Sequence, residues 1–328
     1  MSDLFPTSPA DRPPVVSVLV PVALDTAYSY RVPRDCPVVP GSVVEVPLGP
    51  RRVLGVVWDD RGPPLKVGDN RLREIVRTFD VPPIAEPLRR FVDRLARYYL
   101  MPRGMVLRMV LRAPEALEPE APIRGVRRAG PPPERLTDAR RRVLATLEDD
   151  FAWSRTGLAA SAGVSASVVD GLIAQGTLEE VWLEPGRAPA VPDPAHGART
   201  LGPDQAAAAE ALVASVAAGR FTVDLLDGVT GSGKTEVYFE AIAEAVRRGR
   251  QALVLLPEIA LTAEFLDRFA ARFGVAPAEW HSEVPPKTRA RVWRGTATGE
   301  IRVVVGARSA LFLPFADLGL VVVDEEHD

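Results

Sequence analysis

The sequence predicts a multidomain α/β protein with three folded parts. These are a small N-terminal β domain (a barrel or sandwich, with an OB-like barrel as one form), a winged-helix unit, and a P-loop lobe on a parallel sheet. Three observations predict it. Short β-type runs, separated by proline and glycine, fill Val15 to about Arg112. Helix, glycine turn, helix and hairpin follow one another from Leu136 to Leu183. An apolar run, a glycine-rich loop and an amphipathic helix span Phe221 to Arg248.

The chain has 328 residues, 47% of them apolar, enough for two or three domains with buried cores. No stretch of about 20 apolar residues is present, so no membrane span is expected. Met1 to Pro14 is polar and proline-rich and reads as a disordered start, not a signal peptide. Cys36 is the only cysteine, which excludes a disulfide framework and a multi-cysteine zinc site within this chain. Together these features point to the cytoplasm. The net charge of −3 does not by itself mark a nucleic-acid binder. All but Lys66, Lys234 and Lys287 of the 40 basic residues are arginine. Arg71 to Arg112 concentrates ten arginines against Glu74, Asp80, Glu86 and Asp93. That segment suits phosphate contacts, or is the solvated surface of an arginine-biased protein.

Residues 15–113 form the first domain. Its strands are expected at Val15–Val20, Ala27–Val32, Ser42–Pro47 and Arg52–Trp58. A helix follows from Pro87 to Leu100, with Leu88, Phe91, Val92, Leu95 and Tyr99 on one face. Tyr98, Tyr99 and Trp58 are either core or base-stacking residues, and helical spacing favours core. Residues 114–134 are expected as a linker rich in proline and charge. The winged-helix unit covers 135–183, with Thr137 and Ser165 as helix caps and Leu178–Leu183 as a wing strand. Its third helix, Ala166 to Gln175, carries no Lys or Arg, so it is not expected to read bases in a major groove. Residues 184–200 are a second linker, and 201–328 form the P-loop lobe.

Gly228, Val229, Thr230, Gly231, Ser232, Gly233, Lys234 and Thr235 fit G-x-x-x-x-G-K-[ST]. The glycines let backbone N–H groups turn toward phosphates at a helix N-terminus. Lys234 is expected to reach the β- and γ-phosphates of ATP, and Thr235 to hold Mg²⁺. Gln205 precedes a helix expected over Ala206–Ala218. Its amide has the donor and acceptor needed to read adenine, and the same residues also make an ordinary helix start. Leu318 to Val323 reads as a buried strand ending in Asp324, Glu325 and His327. Asp324 is expected to hold Mg²⁺ opposite Thr235, and Glu325 to activate water. His327 is expected to couple nucleotide state to nucleic-acid contacts, as in Asp-Glu-x-His motors. The expected catalytic set is therefore Lys234, Asp324 and Glu325. Loops at strand ends carry Thr262, Ser282, Arg308 and Ser309, which suit the phosphates of a single strand.

These motifs as a set resemble the PriA family of replication-restart helicases, in superfamily 2. They are Gly228–Tyr238, Leu256–Thr262, His281–Ser282, Gly306–Phe312 and Asp324–Asp328. In the N-terminal part, Pro21–Pro33 and Pro40–Gly49 resemble that family's 3′-end-binding domain. The resemblance implies a first RecA-like lobe and ATP-driven 3′-to-5′ movement on single-stranded DNA. It also implies recognition of abandoned forks through a bound 3′ end, and primosome assembly with primosome proteins and single-stranded DNA-binding protein. By position, Tyr28, Ser29 and Tyr30 line the 3′-end pocket, with Ser29 where the family commonly has Asp. The family continues past the Walker B element into a zinc module, a second RecA-like lobe and a C-terminal domain. The expectation is that this chain is a fragment or a truncated product, holds none of the zinc ligands, and binds forked DNA without unwinding it. A non-catalytic fork-binding platform for primosome assembly and an unrelated DNA translocase are the alternatives.

Overall fold

A computed structural model describes residues 14–59, 72–120, 122–147, 152–183, 190–229, 231–257 and 263–324. The expected disordered start lies, but for Pro14, outside the described residues. The chain divides into two units, residues 119–187 and the remainder.

The larger unit begins with β1 (Val15–Leu19), β2 (Tyr28–Arg31), β3 (Val43–Leu48), β4 (Arg51–Trp58) and β5 (Arg77–Thr78). They form an antiparallel sheet in the order β2-β1-β4-β3-β5. Leu48 pairs with Arg51 across a two-residue turn, and Gly49 supplies its left-handed φ of 61°. The segment just before β5 then closes the sheet on itself. On one side, the Arg31 N–H donates to the Arg73 carbonyl and the Ile75 N–H to the Arg31 carbonyl, at 2.9 and 3.0 Å. On the other, the Val76 N–H donates to the Glu45 carbonyl at 2.8 Å, and β5 pairs with β3. Both sheet edges are thereby satisfied. A small barrel, rather than a sandwich, is the result. Val18, Val44, Val46, Val57 and Ile75 fill it.

Helices α1 (Glu86–Tyr99) and α2 (Arg103–Val110) follow. Leu88, Val92 and Ala96 form the buried stripe of α1. Tyr99 was expected on that stripe and is instead 61% exposed. The helix ends there: Leu100 turns left-handed, and Met101 packs on the core in its place. Trp58 is core, and its Nε1–H donates to Asp93 at 3.1 Å.

In the smaller unit, β6 (Ile123–Arg128) precedes α3 (Asp138–Thr146), β7 (Trp153–Ser154), α4 (Arg155–Ser161), α5 (Ala166–Ala174) and β8 (Leu178–Leu183). Thr137 caps α3 as expected, accepting from the Arg140 N–H, and Ser154 caps α4. Ser165 stands at the α5 N-cap without a capping bond; its Oγ lies 2.8 Å from that of Ser167. The sheet order β7-β6-β8 corrects one boundary. Residues 123–128, expected as linker, are a strand paired with the wing β8 along its full length. Two of its three arginines pair with the partner strand, Arg127 with Glu179 at 2.6 Å and Arg124 with Glu180 at 3.6 Å.

The remainder of the larger unit is a parallel α/β lobe. It comprises α6 (Pro203–Ala217), α7 (Lys234–Arg247), β9 (Gln251–Leu255), α8 (Ala263–Phe273), β10 (Ala278–Trp280), α9 (Pro286–Thr298), β11 (Val303–Gly306) and β12 (Leu318–Val323). The strand order is β10-β11-β9-β12, all parallel. Phe239, Phe269 and Phe273 pack edge-on between α7 and α8. Asp193 to His196, expected as linker, dock here: Arg272 donates to the carbonyls of Pro194 and His196.

The apolar run Phe221–Leu226 is not a strand. Phe221, Val223 and Leu225 are 91%, 82% and 84% exposed. An apolar run needs a ladder partner to become a strand, and β12, at the end of the sheet, pairs only with β9 among the described residues.

Barrel and lobe share one core, in which Leu107 and Val110 meet Trp293, Ile301 and Leu313. No single helix among the described residues is long and apolar enough to cross a membrane.

Candidate nucleotide and nucleic-acid site

The glycine-rich loop leads directly into α7. Gly231 and Gly233 adopt φ of 79° and 83°, a region that side chains with a Cβ disfavour. Gly233 is the N-cap of α7. A Cβ there would lie 2.5 Å from Gln205 Nε2, and one on Gly228 would lie 2.7 Å from Ser232 Oγ. The loop therefore requires glycine for conformation at 231 and 233, while a Cβ at 228 or 233 would displace a neighbouring side chain. Lys234 Nζ donates to the Gly228 carbonyl at 2.6 Å, folding the lysine back over the loop. Thr230 lies outside the described residues.

Gln205 is placed differently from an adenine reader. Its Oε1 accepts from the Gly202 N–H at 2.9 Å, and its Nε2 donates to the Ser232 carbonyl at 2.8 Å. Both ends of the amide join the start of α6 to the loop.

Across the lobe, Asp324 lies just past β12, its N–H bonded to the Leu255 carbonyl at 3.0 Å. Tyr238 bridges it to α7, a role the sequence analysis missed. Its hydroxyl donates to Asp324 Oδ2 at 2.9 Å. Burial, reinforced by the Asp324 charge, pushes the Tyr238 hydroxyl far above the usual tyrosine range, so it stays protonated. Tyr238 lies three residues after Thr235, on the same helix face. That spacing was the available signal. Tyr238, one turn along the helix from Thr235, thus ties Asp324 to α7, although 86 positions separate Tyr238 and Asp324 in the numbering. The hard oxygens of Thr235 and Asp324 fit Mg²⁺, which takes one or two carboxylates together with phosphate. No group of three or more His, Cys, Asp or Glu suited to a metal occurs among the described residues. Glu325 and His327 lie outside the described residues.

A cavity of about 830 Å³ opens at the ends of β9, β10, β11 and β12. Ser282, Arg308, Ser309 and Asp324 line it together. Two further cations line it that the motif reading did not name: Arg112, from the end of the barrel segment, and Arg289, from α9. Arg112 closes the basic stretch read from sequence; Arg289 carried no signal. Thr262 lies outside the described residues.

Residues Tyr28, Ser29 and Tyr30 form most of β2, so they alternate between its two faces. Tyr30 is 4% exposed, and its hydroxyl donates to the Pro47 carbonyl at 3.0 Å. Burial raises that hydroxyl's pKa. Tyr30 is committed to the barrel interior, and the three residues do not share one surface.

Residues 17–112 match the family model of the PriA 3′ DNA-binding domain (3′BD), and residues 203–328 match that of DEAD/DEAH box helicases. The chain is similar to the replication restart protein PriA of Haemophilus influenzae, 33% identical over 96% of this chain and 44% of the relative. It is 39% identical to that of Bacillus subtilis over 50% of this chain and 21% of the relative. For Rickettsia felis, 53% identity covers 32% of this chain and 16% of the relative. The chain spans less than half the length of these relatives.

Proposed function

We propose a function from the premise that the chain belongs to the PriA family of replication restart proteins. It is the nucleotide-holding and DNA-recognising part of an ATP-dependent DNA helicase that restarts stalled or abandoned forks. One observation carries the nucleotide side. The Tyr238 hydroxyl joins α7, whose first turn carries Lys234 and Thr235, to Asp324 just past β12.

On this reading the backbone N–H groups at the start of α7 and the Lys234 ammonium receive phosphate oxygens. Lys234 exchanges its bond to the Gly228 carbonyl for them. Thr235 and Asp324 would hold Mg²⁺, which neutralises charge developing between the β- and γ-phosphates. Glu325 follows Asp324 directly and takes the proton of the attacking water. His327 couples that event to DNA. Gln205 acts through the loop it holds, and adenine contact through its amide requires release of Ser232.

Ser282, Arg308 and Ser309, which line the cavity, bind the phosphates of a single strand, and Thr262 is a further phosphate contact. The barrel takes a DNA 3′ end, with Ser29, on the face of β2 opposite Tyr30, as its contact on that strand. Movement is 3′ to 5′, the partners are primosome proteins and single-stranded DNA-binding protein, and the protein works in the cytoplasm.

DNA-stimulated ATP hydrolysis by the protein carrying this chain, compared with Lys234→Ala, tests the reading. Loss of hydrolysis with fork binding kept is expected. Equal hydrolysis in both would remove the motor assignment and leave a fork-binding platform.

A further inference from the structure

We infer that the C-terminal half of α1 is a second contact for single-stranded nucleic acid, separate from the cavity at the strand ends. Arg90, Arg94 and Arg97 recur at one-turn intervals along the exposed side of the helix, and Tyr98 joins them around one groove. Arg94 and Arg97 make no ion pair among the described residues; Arg90 pairs only with Glu86, one turn back. The single acid in the groove, Asp93, accepts from Trp58 and lies 3.6 Å from Arg103, so its charge is already answered. The groove is therefore positive.

At the end of this row the helix presents Tyr98, Tyr99 and Leu100, which are 78%, 61% and 92% exposed. Leu100 is the one non-glycine residue with positive φ among the described residues, at 53°. Its left-handed turn swings the chain back to the core through Met101 and leaves the three side chains outside. The tyrosine rings meet edge-to-face at 5.0 Å, which orders them before any ligand arrives. Ordered, solvent-facing rings beside a row of exposed arginines, of which Arg94 and Arg97 make no ion pair among the described residues, form a stacking platform with a backbone track. A duplex, with its bases already stacked, uses the arginines and not the rings. A single strand uses both, and this favours it. The inference rests on the reading of the chain as DNA-binding, and goes beyond the motif loops and β2.

The test is binding of the full chain to oligothymidylate and to a blunt duplex by fluorescence anisotropy at several salt concentrations. Tyr98→Ala/Tyr99→Ala, Arg94→Ala/Arg97→Ala and Arg308→Ala are compared with wild type, each checked by thermal melting. The tyrosine variant should lose about tenfold or more on oligothymidylate, with duplex affinity changed less than about twofold. The arginine variant should reduce the salt slope on oligothymidylate by roughly 1.4, about 0.7 for each phosphate contact removed. Unchanged oligothymidylate binding in both α1 variants would overturn the inference alone, most cleanly if Arg308→Ala weakens it. Equal loss on duplex would overturn the single-strand assignment. Failure of the wild-type chain to bind either DNA would overturn both this inference and the reading beneath it.

Discussion

Tyr238 donates its hydroxyl hydrogen to Asp324 at 2.9 Å, fixing the carboxylate after β12 relative to the phosphate loop. A hydrogen bond to a charged group contributes about 1.5–3 kcal/mol. Tyr238→Phe keeps the ring and deletes that bond. The Mg²⁺ concentration for half-maximal nucleotide binding should rise roughly tenfold, while the melting temperature falls by only a few degrees. An unchanged Mg²⁺ requirement would show that Asp324 is held by other means.

The same hydroxyl gives a pH signature. Its folded pKa is raised above the ordinary value of 10.0, by burial first and the Asp324 charge second. Above that pH the unfolded chain releases the proton and the folded chain keeps it. The folded state then binds more protons, so stability is full below about pH 10 and falls as pH rises past it. The slope is at most about 1.4 kcal/mol per pH unit for this group. Denaturant midpoints between pH 9 and 11 should drop for wild type and drop less for Tyr238→Phe, with Tyr30 supplying a residual slope.

Gln205 separates two roles for one amide. Because Gly202 and Ser232 occupy both of its ends, Gln205→Ala should loosen the loop for any nucleotide. Affinities for ATP and GTP should fall together, by several-fold, in a fluorescent-nucleotide titration. A loss confined to ATP would restore adenine reading.

How much of this was legible in sequence follows from what each signal encodes. The phosphate loop was legible because Gly231 and Gly233 answer a local backbone demand, visible as φ of 79° and 83°. The barrel strands were legible because proline and glycine mark their ends, as at Gly49. Pairing partners are another matter. Phe221–Leu226 has the composition of a strand, yet composition does not supply the neighbour to complete its hydrogen bonds. Residues 123–128 fail in the opposite sense: Ile-Arg-Gly-Val-Arg-Arg looks like charged linker, but its partner β8 carries Glu179 and Glu180 to meet the arginines. Tyr238 was quoted within a motif and given no role, because its role depends on Asp324, brought near only by the sheet.

Gly233→Ala tests the loop's geometry apart from its charge. Alanine would have to hold a φ of 83°, with its Cβ 2.5 Å from Gln205 Nε2. A left-handed conformation costs a residue with a Cβ about 1–2 kcal/mol, and the Gln205 amide must leave Ser232. Nucleotide affinity should fall at least tenfold in the same titration, with DNA binding unaltered because the barrel and strand-end loops are untouched.

The barrel and the lobe stand or fall together at Trp293. This side chain is 1% exposed, and its Nε1–H donates to the Val110 carbonyl at 2.9 Å. Beside it, Arg294 donates to the carbonyls of Ala116 and Asp80. Two adjacent residues of α9 thus meet backbone groups of the barrel segment, within the core both parts share. Trp293→Ala removes the largest fully buried side chain and leaves a cavity, at a cost of about 3–5 kcal/mol. Trp293→Phe retains much of the volume and loses the hydrogen bond, at about 1–3 kcal/mol. If the shared core holds the parts as one folding unit, wild type should melt in a single transition. In Trp293→Ala the barrel and lobe should melt separately, and protease should cut between residues 113 and 120. A single transition, lowered but not split, would show that Phe91 against Phe312 and the Arg294 bonds suffice to couple them.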